Sequence, residues 1–250
     1  MLGIVRVLTT DDPELRDAHG RAIAAEHGVR TLSRCIPDQP HGVHDAASHT
    51  RAVPRIVDVA RELVRNGATS IMISCAADPG LAEAQAAVPV PVFGAGSTAA
   101  AVATALGGRI GVLGITDEVP AAMSAVFGAR TVLHRRPDGV CRTTDLLVAA
   151  GRSSSIRTVG ELVADGAQVI VFACTGMTSI GLAGQVRERW NVPVVDAVLA
   201  TGAVDRCRDH HGDRGAGLGH RGELADEHRG GGALLHRDRQ GVRGRAAAFP

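Results

Sequence analysis

The sequence predicts an α/β protein of two similar, doubly wound lobes with parallel sheets and a functional site in the cleft between them. Apolar runs of strand length alternate with helical segments, the pattern of βαβ units. The run Ile71-Met72-Ile73-Ser74-Cys75 recurs as Ile170-Val171-Phe172-Ala173-Cys174, so an apolar strand twice ends in a cysteine followed by small residues. Each copy follows a glycine turn, Gly67 or Gly166, and leads to a proline-started strand, Pro91-Val92 or Pro193-Val194.

In order, residues 2–8 form a first strand, and Thr9-Thr10-Asp11-Asp12-Pro13 ends it with hydroxyls and a helix-start signal. Residues 14–27 read as a helix and Val29 to Ser33 as a second strand ending near Cys35. Residues 36–45 are a loop rich in Pro, Gly and His, too long for a tight turn and of the kind that covers sites. Residues 50–66 place Val53, Ile56, Val57, Ala60, Leu63 and Val64 on one helical stripe. After the Cys75 strand, Asp78 is an N-cap and Pro79 a first helical residue, for a helix over 79–87 whose N-terminus points back at Cys75. Val90 to Phe93 is a strand, and Gly94-Ala95-Gly96-Ser97-Thr98 turns into an alanine-rich helix through Leu106. Arg109 to Ile115 is the next strand, and its ending Ile115-Thr116-Asp117 echoes Thr9-Thr10-Asp11, pairing Thr116 with Thr10. Helices over 119–127 and 155–165 flank a short strand near 130–134. After the Cys174 strand, Thr178 or Ser179 caps a helix to about 189, and Val192 to Val195 is the last strand. From about 205 the apolar period fades, and 206–250 reads as an irregular tail, disordered or shifted out of frame.

Composition removes several function classes. At 250 residues and 45% hydrophobic content, the chain can bury a substantial core. No apolar run reaches the roughly 18 residues of a membrane span, and the first residues lack a signal-peptide pattern. The expectation is a cytoplasmic protein with no membrane partner. A net charge of +1 and 2% aromatics offer nucleic acid neither attraction nor stacking platforms. Five cysteines without C-x-x-C spacing indicate neither a disulfide framework nor a zinc site, so reduced thiols and no metal are expected. All 27 basic residues are arginine, which excludes a P-loop lysine and a pyridoxal Schiff base. His41, His44 and His49 are irregularly spaced and read as loop residues rather than ligands.

In open parallel sheets, ligands bind at the carboxyl ends of strands, where Cys75, Cys174, Thr10, Thr116 and the 94–98 turn all fall. A lone cysteine in an apolar strand is more often a core residue, and Cys35, Cys141 and Cys207 keep that reading. Matched placement in two repeats argues for a pair. Helix N-termini beside both thiols are expected to favour thiolate. Facing each other across a small molecule, one thiolate would take a proton next to a carbonyl and the other thiol return one from the opposite face. That inverts a stereocentre without a cofactor. Backbone N–H groups of Ala76, Ala77 and Gly176, with the hydroxyls of Thr10, Ser97, Thr116 and Thr175, are the candidate substrate contacts.

The Cys75 segment with its Asp-Pro-Gly, the Pro-Val-Phe-Gly-Ala-Gly turn, the Val-Leu-Gly-Ile-Thr strand and the Cys174-Thr-Gly-Met segment resemble the aspartate/glutamate/hydantoin racemase superfamily, over roughly residues 3–204. The hydantoin-racemase-like branch is the most similar. The resemblance implies two pseudo-symmetric flavodoxin/Rossmann-like lobes, 1–93 plus 195–205 and 94–194. It also implies cofactor-independent racemisation or epimerisation of an amino acid or derivative, with Cys75 and Cys174 as opposed acid and base. A small-molecule substrate is the implied partner, and a homo-oligomer is compatible with the sequence. Two other readings stay open: an isomerase or decarboxylase of a small dicarboxylate on this scaffold, and a two-lobed binding protein without turnover.

Overall fold

A computed structural model describes residues 1–216, with side chains through residue 208. In chain order the elements are β1 (Leu2–Arg6), α1 (Pro13–His27), β2 (Thr31–Cys35), α2 (Ala46–Arg65), β3 (Ser70–Ser74), α3 (Leu81–Ala87), β4 (Val92–Gly94) and α4 (Ala95–Leu106). They continue with β5 (Ile110–Leu113), α5 (Ala121–Phe127), β6 (Leu133–Arg135), a 3₁₀ turn (Thr143–Leu147), α6 (Ala149–Ala164), β7 (Val169–Phe172), α7 (Gly176–Ser179), α8 (Leu182–Arg189), β8 (Val194–Val195) and α9 (Ala197–Ala216).

The strands form two four-stranded parallel sheets, β2-β1-β3-β4 and β6-β5-β7-β8, with the same strand order. β1, β3, β5 and β7 are buried at every position, as strands covered on both faces must be, and this is why they read as apolar runs rather than alternating ones. One core joins the sheets. Leu2, Ile4 and Met72 of the first sheet and Ile110, Val112, Val169 and Val171 of the second share a cluster with Ala95, Ala99, Ala100 and Ala103 of α4. Alanines on the buried face of α4 let its backbone lie close to the strands. Separate clusters fill the outer faces, around Ile56 and Leu63 of α2 and around Leu162 and Phe172.

Several boundaries differ from the sequence reading, each for a local reason. β2 runs Thr31–Cys35 rather than 29–33, because its ladder with β1 pairs Leu2 with Thr31 and Arg6 with Cys35. α2 begins at Ala46, since Asp45 and Ser48 form a reciprocal capping box that starts the helix inside the polar loop. α3 begins only at Leu81, because Asp78 (φ 47°) and Gly80 (φ 67°) are left-handed and break any helix over 79–80. α6 starts six residues earlier than read, at Ala149.

α9 continues to Ala216, past the boundary at 205 where the apolar pattern fades. It lies against α1, where His27 Nε2–H donates to the Leu199 carbonyl (2.8 Å) and Gly202 sits beside Ile23 and His27. Of the expected tail, residues 217–250 lie outside the described residues. Among the described residues no helix is long and apolar enough to cross a membrane.

Candidate active site

Cys75 and Cys174 each follow the strand at the same place in their sheet, β3 and β7, and both line one cavity of about 350 Å³. Its walls come from the carboxyl ends of both sheets: Arg6 to Leu8 after β1, Ser74 to Ala77 after β3, Ile115 and Thr116 after β5, and Ala173 to Gly176 after β7. Residues 43–46, His49 and Thr50 around the start of α2 also line it, with His19 of α1, Pro120 and Thr143 of the 3₁₀ turn. The structure therefore brings together Cys75, Cys174, Ala76, Ala77, Thr116, Thr175 and Gly176. The Thr175 hydroxyl also donates to the Ser74 carbonyl (3.1 Å), tying the two cysteine loops to each other.

Thr10 and Ser97 do not line the cavity. For Thr10 the ladders give the reason. Val5 lies opposite Ile73, two residues before Cys75, and Leu113 lies opposite Phe172, two before Cys174. The counterpart of Thr116 is therefore Leu8, which does line the cavity. Thr10 lies beyond it, its hydroxyl accepting from Asp12 N–H (3.2 Å), so the Thr10 and Thr116 echo was out of register.

For Ser97 the reason is Asp78. Asp78 was read as the cap of the helix beginning at 79, but its carboxylate accepts from the N–H groups of Gly96 (2.8 Å) and Ser97 (2.7 Å) and so caps α4. The Ser97 hydroxyl, the group expected to meet substrate, is held in that same turn and donates to the Gly94 carbonyl (3.4 Å). In the second sheet the equivalent helix, α9, is capped by its own leading residue: Asp196 accepts from Val198 N–H (2.9 Å) and Leu199 N–H (3.2 Å). Gly94 matches Asp196 in the β4 and β8 ladders, and the Asp78 carboxylate occupies the space a Gly94 Cβ would fill. The two halves thus solve one capping problem with acids from different segments.

The expectation of thiolates favoured by helix ends is corrected. Burial dominates: it pushes the Cys75 thiol up to about 12 and raises Cys174 above the ordinary thiol value. The short helices α3 and α7 do not overcome it. Donors nevertheless surround the sulfurs, Ala77 N–H at Cys75, and Gly176 N–H, Met177 N–H and the Thr143 hydroxyl (3.9 Å) at Cys174.

Sequence reading missed five contributors. Arg6 is 3% exposed at the end of β1; a lone arginine in an apolar strand was the available signal. His19 of α1 is buried, its Nδ1 bonded to Ser74 Oγ (2.6 Å) and Nε2 to Ser179 Oγ (3.0 Å). Burial, then the charge of Arg6, holds its imidazole well below the usual range, so it is neutral. Thr143 carries no motif. His44 and His49, read as plain loop residues, lie in the wall, and among the described residues no group of three or more His, Cys, Asp or Glu is placed to hold a metal.

Two parallel sheets of equal order, with their cysteine-tipped strands converging on one small cavity, define a protein of the racemase-fold class. The model of the Asp/Glu/Hydantoin racemase family matches residues 16–203, and the chain belongs to that family. Its fold is similar to allantoin racemase from Klebsiella pneumoniae (22% identity, TM-score 0.72, 84% of this chain and 88% of that one). It is similar as well to allantoin racemase from Pseudomonas fluorescens (22%, 0.71, 84% and 91%) and to a glutamate racemase from Bacillus anthracis (15%, 0.62, 85% and 82%). Among curated proteins, none matches the sequence.

Proposed function

We propose that the protein is a cofactor-independent racemase or epimerase of an amino acid or a close derivative such as a hydantoin, with Cys75 and Cys174 as opposed acid and base. The observation that carries this reading is the meeting of two strand-end sulfurs, one from each sheet, in one cavity sized for a small molecule. Inversion needs a proton taken from one face of a carbon and returned to the other, and two sulfurs from opposite sheets can supply both. Their burial suits the task. A desolvated thiolate is a stronger base than one in water, and a neutral thiol keeps its proton until the carbanion develops. Ala76, Ala77, Thr116, Thr175 and Gly176, all in the cavity wall, are the proposed substrate contacts. The reading includes reduced thiols, as in a cytoplasmic protein, and a cleft between lobes 1–93 plus 195–205 and 94–194.

The test is a chiral-chromatography screen of amino acids, N-carbamoyl amino acids and 5-substituted hydantoins, with solvent deuterium followed at the α-carbon. Cys75→Ser and Cys174→Ser should each lower racemisation on the order of 10²- to 10⁴-fold, the usual contribution of a positioned acid or base. A dicarboxylate isomerase or decarboxylase would survive one of the two changes. A binding protein would bind ligand and exchange no α-hydrogen.

A further inference from the structure

Arg6 stands in the cavity wall with an Nη1 that has no hydrogen-bond partner. A buried guanidinium is normally held by a carboxylate, and an uncompensated one is strongly destabilising. The nearest acid on α1, Asp17, is already held by Arg16 through Nε (3.0 Å) and Nη2 (2.7 Å). The other groups that feel the charge of Arg6 are His19 of α1, Cys35 of β2 and Cys174 after β7. His19 is neutral and Cys35 has its thiol raised by burial. The two cavity sulfurs are not equally served. Cys174 has the Gly176 and Met177 N–H groups and the Thr143 hydroxyl at its sulfur, besides the nearby guanidinium. Cys75 has the Ala77 N–H, and the charge of Asp78 raises its thiol further.

We propose that Arg6 is a positioning residue that makes Cys174, rather than Cys75, the sulfur that gives up its proton more readily. Burial lowers the pKa of Arg6 only to about 10, so it remains a cation at neutral pH. Coupled to the proposed racemisation, on which this second half rests, that difference sets the order of events. The Cys174 thiolate takes the α-proton and becomes a thiol, and the C–H electron pair passes into the adjoining carbonyl as an enolate. The enolate carbon then receives the Cys75 proton on its opposite face, leaving Cys75 as thiolate. Proton exchange with water restores the starting state.

The experiment is alkylation of the full chain by iodoacetamide across a pH series, with each cysteine quantified by mass spectrometry. Plateau rates report access, while midpoints report ionisation. The Cys174 midpoint should lie about one pH unit or more below that of Cys75, a tenfold difference in thiolate. Arg6→Met should raise the Cys174 midpoint by about a unit and leave Cys75 nearly unmoved, whereas Arg6→Lys should keep most of the effect. Coincident midpoints, a lower one at Cys75, no reaction at Cys174, or an unmoved midpoint in Arg6→Met would each overturn the proposal. If Arg6→Met does not fold, the parent order and Arg6→Lys decide. Reversed alkylation order with both cysteines still required for α-hydrogen exchange removes the role of Arg6 and leaves the racemase reading. The stated order without any exchange does the opposite.

Discussion

Gly96 and Asp78 fix how the Cys75 loop meets α4. A Cβ at Gly96 would overlap the Ala76 carbonyl oxygen, and that atom belongs to backbone that cannot swing away without moving Cys75. Gly96→Ala is therefore expected to lower stability by about 3 kcal/mol, the upper part of the usual overpacking range, and to reduce turnover along with it. Urea denaturation monitored by circular dichroism measures the first effect. A variant as stable as the parent would show that the loop has slack. That Asp78 is a cap was legible from its type and the following Pro79. Which helix it caps was not, because the recipient N–H groups lie on a segment far along the chain that only the β3 and β4 ladder brings alongside.

At the scale of elements, α1 acts as a bridge. Its His19 ties Ser74, at the end of β3, to Ser179 in α7. Since burial holds His19 neutral in the folded chain, the unfolded state binds more protons below the ordinary histidine value of about 6.5. Unfolding then takes up a proton, so stability should be fully present above about pH 6.5 and fall as the pH drops below it. Denaturation midpoints between about pH 7 and pH 5 should show this slope, and His19→Gln should flatten it. An unchanged slope in the variant would place the acid sensitivity elsewhere. α1 itself was legible from its start signal, and its bounds in the structure begin at Pro13, one residue before the reading. The bridging role was not, because Ser74 and Ser179 are remote in sequence and neither lies in a recognisable motif with His19.

For the molecule as a whole, the shared core has a thermodynamic consequence. Leu2 and Met72 from one sheet and Val112 and Val171 from the other belong to one buried cluster, with α4 between them. Neither sheet can unfold and leave the other's inner face covered, so a single cooperative transition is expected by calorimetry and by spectroscopic probes in both halves. Ile23 is fully buried and packs against Gly202 of α9. Ile23→Ala should lower the stability by about 2–5 kcal/mol within that same transition. Two separate transitions would contradict the account of a shared core.

The sequence by itself determined the strands, the parallel α/β class and the matched cysteines at strand ends, because buried parallel strands must be continuous apolar runs and a duplicated unit repeats its punctuation. Tertiary structure decided the rest of the site. The registers of the β1 and β5 ladders made Leu8, two residues before Thr10, the counterpart of Thr116. The approach of the β4–α4 turn gave the Ser97 N–H to Asp78. Burial outweighed the local backbone donors at both sulfurs and enclosed an arginine that the strand pattern alone left as an exception. Each of these outcomes depends on what comes near a residue through space, and the order of the chain does not record it.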